Sequence, residues 1–412
     1  MRAEIISVGT ELLLGQITDT NATHLARLLA SYGVDVLFKQ TVGDNLERVR
    51  GAVELALRRA DLVVMTGGLG PTEDDLTTEA VALATGRPMV FDQAVADSIR
   101  TFFERRRRAA PESVFGQARV PSGAQVVPNR RGTAPGLIVP AGDCTVFMFP
   151  GVPREMEGLV EDGLIPWLRA RTGGEVIRSR VLRIAGLGES VVEERVRDLI
   201  HETNPTVAPL AKLGEVHLRI TAKAHPADAA AMIGRTEAGL RDRLGDAVFG
   251  SDDEALHDVT ARLLLARGQT LAIAESCTGG LVASRLTEAP GSSAFLLAGF
   301  VAYSNEAKVR DLGVSAATIT EHGAVSGPVA EALARGARER AGADIGVGIT
   351  GIAGPAGATP AKPIGLVFVS IATAAAVRTE ELRFGDEPGR AGIRHLAAQS
   401  ALNLIRLTLV RQ

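Results

Sequence analysis

Leu271-Ala272-Ile273-Ala274-Glu275-Ser276-Cys277-Thr278-Gly279-Gly280-Leu281 is the stretch on which the fold turns. An apolar run of strand character stops at Glu275, and helical periodicity resumes from Leu281. A strand that breaks into a helix through two glycines is the connection expected of an α/β sheet. It also gathers hydroxyls and free backbone N–H groups at one point, where a nucleophile and its oxyanion donors can meet. Capping of the helix by Ser276 or Thr278 is the competing explanation.

Two later segments bear on that choice. Phe300 to Lys308 places Tyr303 and Lys308 just beyond a second apolar run, in a chain with only two tyrosines. Ile345 to Thr350 reads as a strand ending in Gly351-Ile352-Ala353-Gly354-Pro355, a glycine loop whose N–H groups can approach an anion. A Ser, a Tyr, a Lys and a glycine loop, each just after a strand, read as one site at the strand ends of a sheet. With Ser276 as nucleophile, Lys308 is the better base, because His322 and His395 are poorly placed. A lysine with its ordinary pKa is neutral less than about one time in a thousand at pH 7, so burial must depress it. Tyr303 could relay the proton or hold the serine hydroxyl, and N–H groups from Cys277 to Gly280 would steady an oxyanion. Cys277 is the rival nucleophile. Arg390 and Arg394, four apart at the start of the last helix, could grip a phosphate.

At 412 residues two or three domains are expected. Apolar residues make up 46% and charged residues 23%, enough for sizeable cores. A net charge of −3 gives no electrostatic case for a nucleic-acid or membrane surface binder. Cys144 and Cys277 lack the spacing of a disulfide framework or zinc cluster and fit a reducing compartment. With no signal-peptide pattern and no bilayer-length apolar run, a soluble cytoplasmic protein is expected.

Strands at 4–8, 34–41 and 61–66 alternate with helices from about Asn21 and over 46–59, a βαβαβ order that implies a mainly parallel sheet. A strand pair at 136–139 and 145–149 and a helix over 154–171 close this unit. The spacing then predicts a small α+β segment, with strands near 176–184 and 216–223 and helices near 190–202 and 227–244. It could pass for a KH-like module, but no G-x-x-G clamp is found in it, so a spacer or dimerisation role is expected. The predicted domains are 1–171, 172–250 and 251–412.

In the first domain Met65 to Asp75 follows the third strand and is expected to open a helix. Gly67, Gly68 and Gly70 allow close backbone approach to a phosphate, with Thr72 beside them. Asp74 and Asp75 would repel that phosphate unless a divalent cation lies between, and Asp44 would reach the same edge. Helix capping by first-turn acids is the alternative for each of these carboxylates.

Together, Gly67 to Asp75, Gly132 to Gly136, Pro150 to Met156, Glu275 to Gly280, Tyr303 to Lys308 and Thr350 to Pro355 resemble the competence/damage-inducible CinA family, over essentially the whole chain. The resemblance implies two α/β/α sandwich domains joined by a KH-like α+β middle domain. It implies a molybdopterin-binding-like first domain linked to metal-dependent ADP-ribose pyrophosphatase activity. It also implies a last domain that hydrolyses nicotinamide mononucleotide to nicotinate mononucleotide and ammonia without a cofactor. The matching catalytic positions are Ser276, Tyr303 and Lys308, and Thr350, Gly351 and Arg390 match substrate-binding segments. A homodimer is expected. Ala356-Gly357-Ala358 departs from a glycine-richer family pattern, and an alanine forced to positive φ there would strain the loop. The alternative function is a nucleotide- or pterin-binding regulatory protein linked to competence or DNA damage.

Overall fold

The computed structural model describes residues 1–411. They divide into two compact units, Met1–Arg178 with Ala222–Met232, and Ser179–Thr221 with the chain from Ile233 onward.

The first unit is built on a six-stranded sheet in the order Asp35–Val42, Arg2–Val8, Leu62–Thr66, Cys144–Phe149, Gly136–Ala141, Gln125–Val127. The first four strands are mutually parallel and the last two antiparallel. Alternate residues of the central strands feed two cores. Ile6, Val63 and Met65 pack with Val49 and Val53 of helix Leu46–Leu57, while Ile5, Leu62 and Val64 pack with Leu25 and Leu29 of helix Thr20–Ser31. Helices cover both faces, which is why these strands are near-continuous apolar runs. The helix expected over 154–171 is present, with one π-helical turn at Val160–Leu164. The loop after Thr66 does not open a helix at Thr72. Its turn runs on and the helix begins at Thr77, so Asp74 and Asp75 lie ahead of the first helical turn.

In the second unit a five-stranded sheet runs Leu296–Val301, Leu271–Glu275, Ile345–Gly351, Leu366–Ala372, Val377–Arg383. The first three strands are parallel, the last two antiparallel. Leu271 and Ile273 face the last helix, Gly389–Val410, through Ile393, Ala397 and Leu402. Ala272 and Ala274 face helix Gly327–Ala341. They are level with Gly346 and Gly348 of the neighbouring strand. A Cβ at Gly348 would lie 2.2 Å from the Ala330 carbonyl oxygen, so this face is kept small to let the helix backbone approach. Here too the sheet is covered on both sides.

The middle segment forms a four-stranded sheet in the order Thr206–Lys212, Glu215–Ala224, Val176–Ile184, Val248–Ser251. Two of these strands, Thr206–Lys212 and Val248–Ser251, were not expected from the sequence. The former carries a proline within an exposed edge strand, and the latter is four residues long. Among the described residues no helix is long and apolar enough to cross a membrane.

Candidate active site

The site in the second unit is assembled at the C-terminal ends of the parallel strands. The Ser276 N–H donates to the Ile349 carbonyl (3.0 Å), carrying the ladder one residue past the strand. The Gly279 N–H then donates back to the Ser276 carbonyl (3.2 Å), closing a tight turn. Gly279 and Gly280 take left-handed φ of 61° and 88° and lead into helix Leu281–Thr287.

Neither Ser276 nor Thr278 caps that helix. The buried Glu275 carboxylate does so, accepting from the N–H groups of Val282 (3.1 Å) and Ala283 (2.9 Å). Glu275 thereby satisfies donors that a helix start leaves unpaired and frees the Ser276 hydroxyl for other contacts. Its role was missed in the sequence, where an acid at a strand end carries no distinct signal.

Lys308 lies on helix Asn305–Leu312, which Ser304 caps through the Ala307 N–H. Its side chain is 2% exposed. The Nζ atom is 3.1 Å from Ser276 Oγ, 2.9 Å from the Ala302 carbonyl oxygen and 3.1 Å from that of Tyr303. Among the described residues no carboxylate hydrogen-bonds it, and burial drives its pKa below the ordinary lysine value against a smaller upward electrostatic pull from Cys277 and Glu306. A neutral amine has two N–H groups and one lone pair. The two carbonyls can only accept, so they take both N–H groups and leave the lone pair directed at Ser276 Oγ.

Cys277 points away into the core, and burial pushes its thiol up to about 11. At neutral pH it is therefore a thiol, not a thiolate.

Tyr303 departs from expectation. Its phenol does not stand between Ser276 and Lys308. It accepts from Arg390 Nη2 at 2.9 Å, while its backbone carbonyl serves Lys308. Arg390 also donates to the Gly354 carbonyl (2.7 Å), tying the glycine loop to the tyrosine. Arg394 turns to the Thr278 carbonyl instead, through Nη2 at 2.7 Å and Nε at 3.3 Å. The two arginines are thus not joined in one clamp. The Thr350 hydroxyl is buried against the Ala324 carbonyl (2.8 Å). In the following loop Gly354, Gly357 and Gly365 take positive φ and Ala356 and Ala358 do not, so the two alanines are not forced into the left-handed region.

In the first unit Gly67, Gly68, Gly70, Thr72, Asp44, Asp74 and Asp75 all line one cleft of about 420 Å³. Gly67 has φ 98°, and a Cβ there would sit 2.0 Å from the Val8 carbonyl oxygen. Asp44 accepts from the Thr10 N–H (2.8 Å) and hydroxyl (2.7 Å). Asp75 accepts from the Thr72 N–H and hydroxyl. Among the described residues no three His, Cys, Asp or Glu side chains converge on a metal position. One or two carboxylates combined with substrate phosphate oxygens is the usual setting of a nucleotide-bound Mg²⁺. Asp44 and Asp75 are each engaged by a threonine, so what they could offer a cation is an oxygen or two beside those of a phosphate. Gln117 also lines this cleft; its amide donates to the Leu69 carbonyl (2.8 Å) and its buried Oε1 has no partner. Nothing in its local sequence marks it.

Residues 253–409 match the CinA C-terminal domain, residues 4–170 a "Probable molybdopterin binding domain", and residues 179–250 the damage-inducible protein CinA KH domain. A "Putative competence-damage inducible protein" of Moorella thermoacetica is 49% identical over 416 residues, covering all of both chains. One from Symbiobacterium thermophilum is 47% identical, over all of this chain and 99% of the other. The chain belongs to the CinA family. Among solved structures, the competence/damage inducible protein CihA from Agrobacterium tumefaciens is 41% identical, with a TM-score of 0.36. It spans 38% of this chain and 97% of its own. In this CinA-family chain the expected site residues thus gather at two places. Ser276, Lys308, Tyr303, Arg390 and the glycine loop stand at one, and the Gly67–Asp75 loop with Asp44 at the other.

Proposed function

We propose that the chain hydrolyses the amide of nicotinamide mononucleotide to nicotinate mononucleotide and ammonia. The observation that carries this reading is the buried Lys308 amine, 3.1 Å from Ser276 Oγ, with carbonyls as its only other partners. Lys308 accepts the Ser276 proton as Oγ attacks the carboxamide carbon. The oxyanion is met by loop N–H groups, a contribution of about 3–4 kcal/mol per donor. Gly279 is not among them, because its N–H is committed to Ser276. The Lys308 ammonium returns its proton to the departing nitrogen, which leaves as ammonia. A Ser276 ester remains. Lys308, neutral again, takes a proton from water as the water oxygen attacks the ester. The ammonium then gives that proton to the departing Ser276 Oγ, and the acid leaves as nicotinate with its own proton lost to solvent. Arg390, with N–H groups beyond those given to Gly354 and Tyr303, supplies positive charge for the nucleotide phosphate. The test is ammonia release from nicotinamide mononucleotide by the purified chain. A folded protein that releases none would overturn the reading and favour a nucleotide- or pterin-binding regulator of competence or the DNA damage response.

A second reading rests on the first-unit cleft, where Asp44, Asp74 and Asp75, with Glu11 and Glu155, line the same space as the glycine loop. It assigns metal-dependent ADP-ribose pyrophosphatase activity to this cleft. One or two of Asp44, Asp74 and Asp75, together with the phosphate oxygens, would hold the divalent cation, which would neutralise charge on the diphosphate. Gly67, Gly68 and Gly70 would let the backbone meet the phosphates. Asp74→Ala and Asp75→Ala are expected to lower metal-dependent hydrolysis of ADP-ribose by about 10²-fold or more, by analogy with other charge-stabilising groups. Unchanged activity in both variants would remove these carboxylates from the site. The amide hydrolase is expected to act in the cytoplasm, as a homodimer.

A further inference from the structure

Arg394 is bound to protein, and the direction of its bonds is informative. Both Nη2 and Nε converge on the carbonyl of Thr278, two residues beyond the nucleophile. The next residue on the same helix, His395, lies between two fixed partners. Arg285 Nη2 is 2.7 Å from its Nδ1, and the Leu213 carbonyl oxygen is 3.1 Å from its Nε2. A guanidinium only donates, so Nδ1 accepts and the ring proton sits on Nε2, donating to Leu213.

Leu213 belongs to the tight turn joining Thr206–Lys212 to Glu215–Ala224 in the middle segment. The same turn makes a second connection. Glu215 accepts from Gln399 Nε2 (2.8 Å), and Gln399 Oε1 accepts from Arg285 Nη1 (2.9 Å). On its far side Glu215 is paired with Arg183 at 2.8 Å. Gly214, at the turn's apex with φ 82°, lies against the last helix so closely that a Cβ would be 3.2 Å from Gln399 Cγ. Arg285 is on the helix that leaves the nucleophile loop. The loop is therefore held at Thr278 by Arg394 and at its exit helix by Arg285. His395 and Gln399 tie Arg285 to one turn of the middle segment by hydrogen bonds, and Arg394 is coupled to that turn as the residue next to His395 on the same helix.

We propose that Arg394 is a positioning residue for the Ser276 loop rather than a phosphate ligand, and that the Leu213–Glu215 turn completes the amide-hydrolase site by holding Arg394 and Arg285 in register. This rests on the amide-hydrolase reading of Ser276 and Lys308. Its physical content is alignment: the loop N–H groups and Ser276 Oγ must be fixed relative to the Lys308 lone pair, and small displacements cost rate rather than binding.

The test is steady-state ammonia release from nicotinamide mononucleotide by the full-length chain. Wild type is compared with Arg394→Ala, Arg394→Lys, His395→Ala and His395→Gln, each checked for an intact melting transition. Arg394→Ala is expected to lower kcat by about 10–100-fold with little change in KM. Arg394→Lys should recover part of the loss, because an ammonium can still donate to the Thr278 carbonyl. His395→Ala should lower kcat in the same direction, and His395→Gln, which retains one donor and one acceptor, should recover it. A raised KM with kcat retained in Arg394→Ala would make Arg394 a substrate ligand and overturn the proposal. Unchanged kcat in His395→Ala would detach the turn from the site and overturn it equally. If Arg394→Ala does not fold, Arg394→Lys with wild-type kcat and raised KM would decide against it. Wild type inactive on the amide would instead bring down the underlying reading.

Discussion

Ser276→Ala is expected to abolish ammonia release from nicotinamide mononucleotide, while Cys277→Ala keeps most of the activity. The expected loss at Ser276 is about 10⁴-fold or more, the scale seen when a serine nucleophile that works with its base is removed. The residues are adjacent, and on intrinsic reactivity the cysteine would be preferred. Their surroundings reverse that preference. Cys277 is buried among the core side chains of the sheet and last helix, with its thiol pushed up to about 11. Ser276 Oγ is the atom that faces Lys308 Nζ. Cys277→Ala removes a buried sulfur and should reduce thermal stability modestly without changing the reaction. Loss of activity in Cys277→Ala, with Ser276→Ala still active and both folded, would exchange the two roles and require the loop to turn over.

Lys308 carries the second large effect. Burial lowers its pKa, and the smaller upward electrostatic pull of Cys277 and Glu306 does not reverse that direction. The neutral amine is the active form. Activity must therefore fall as pH drops through the lysine's depressed pKa and level off above it. In Lys308→Arg the side chain stays protonated across the whole range, so the plateau is never reached. The expected loss in kcat is about 10²–10⁴-fold, the usual worth of a general base, with no pH-dependent recovery up to mild alkalinity. A kcat close to wild type in Lys308→Arg, or a wild-type profile flat through neutral and acidic pH, would show that Lys308 does not act as a base.

Most of the first sheet and the three parallel strands of the last were legible in the sequence, whereas Leu366–Ala372 and Val377–Arg383 were not read from it. Runs such as 62–65 and 271–274 are apolar because both faces are covered, and glycines at 67 and 68 and at 279 and 280 follow where the chain leaves the sheet. Such local patterns survive without tertiary information. Short or exposed strands did not show. Thr206–Lys212 contains Pro209 and is largely exposed, and Met89–Phe91 has only three residues. What makes these segments strands is the partner each pairs with, which lies elsewhere in the chain.

The candidate site divides along the same line. Residue types and spacing alone nominated Ser276, Tyr303, Lys308 and Arg390, because strand ends in an α/β sheet converge. Directions of side chains were not in the sequence. Tyr303 was expected beside Ser276, yet its phenol meets Arg390 and its carbonyl meets Lys308. Arg394 was expected to face a phosphate, yet it holds the Thr278 carbonyl. Glu275 caps the helix that Ser276 or Thr278 had been candidates to cap. Which chemistry-bearing residues stand at the ends of which strands follows from local periodicity and glycine placement, and so is written in the order of the amino acids. That Lys308 is buried with carbonyls and Ser276 as its hydrogen-bond partners, that Cys277 turns inward, and that a distant turn braces the loop came from the folded arrangement. Desolvation and hydrogen-bond geometry depend on what surrounds a group in space, and those surroundings come from segments tens to hundreds of residues away.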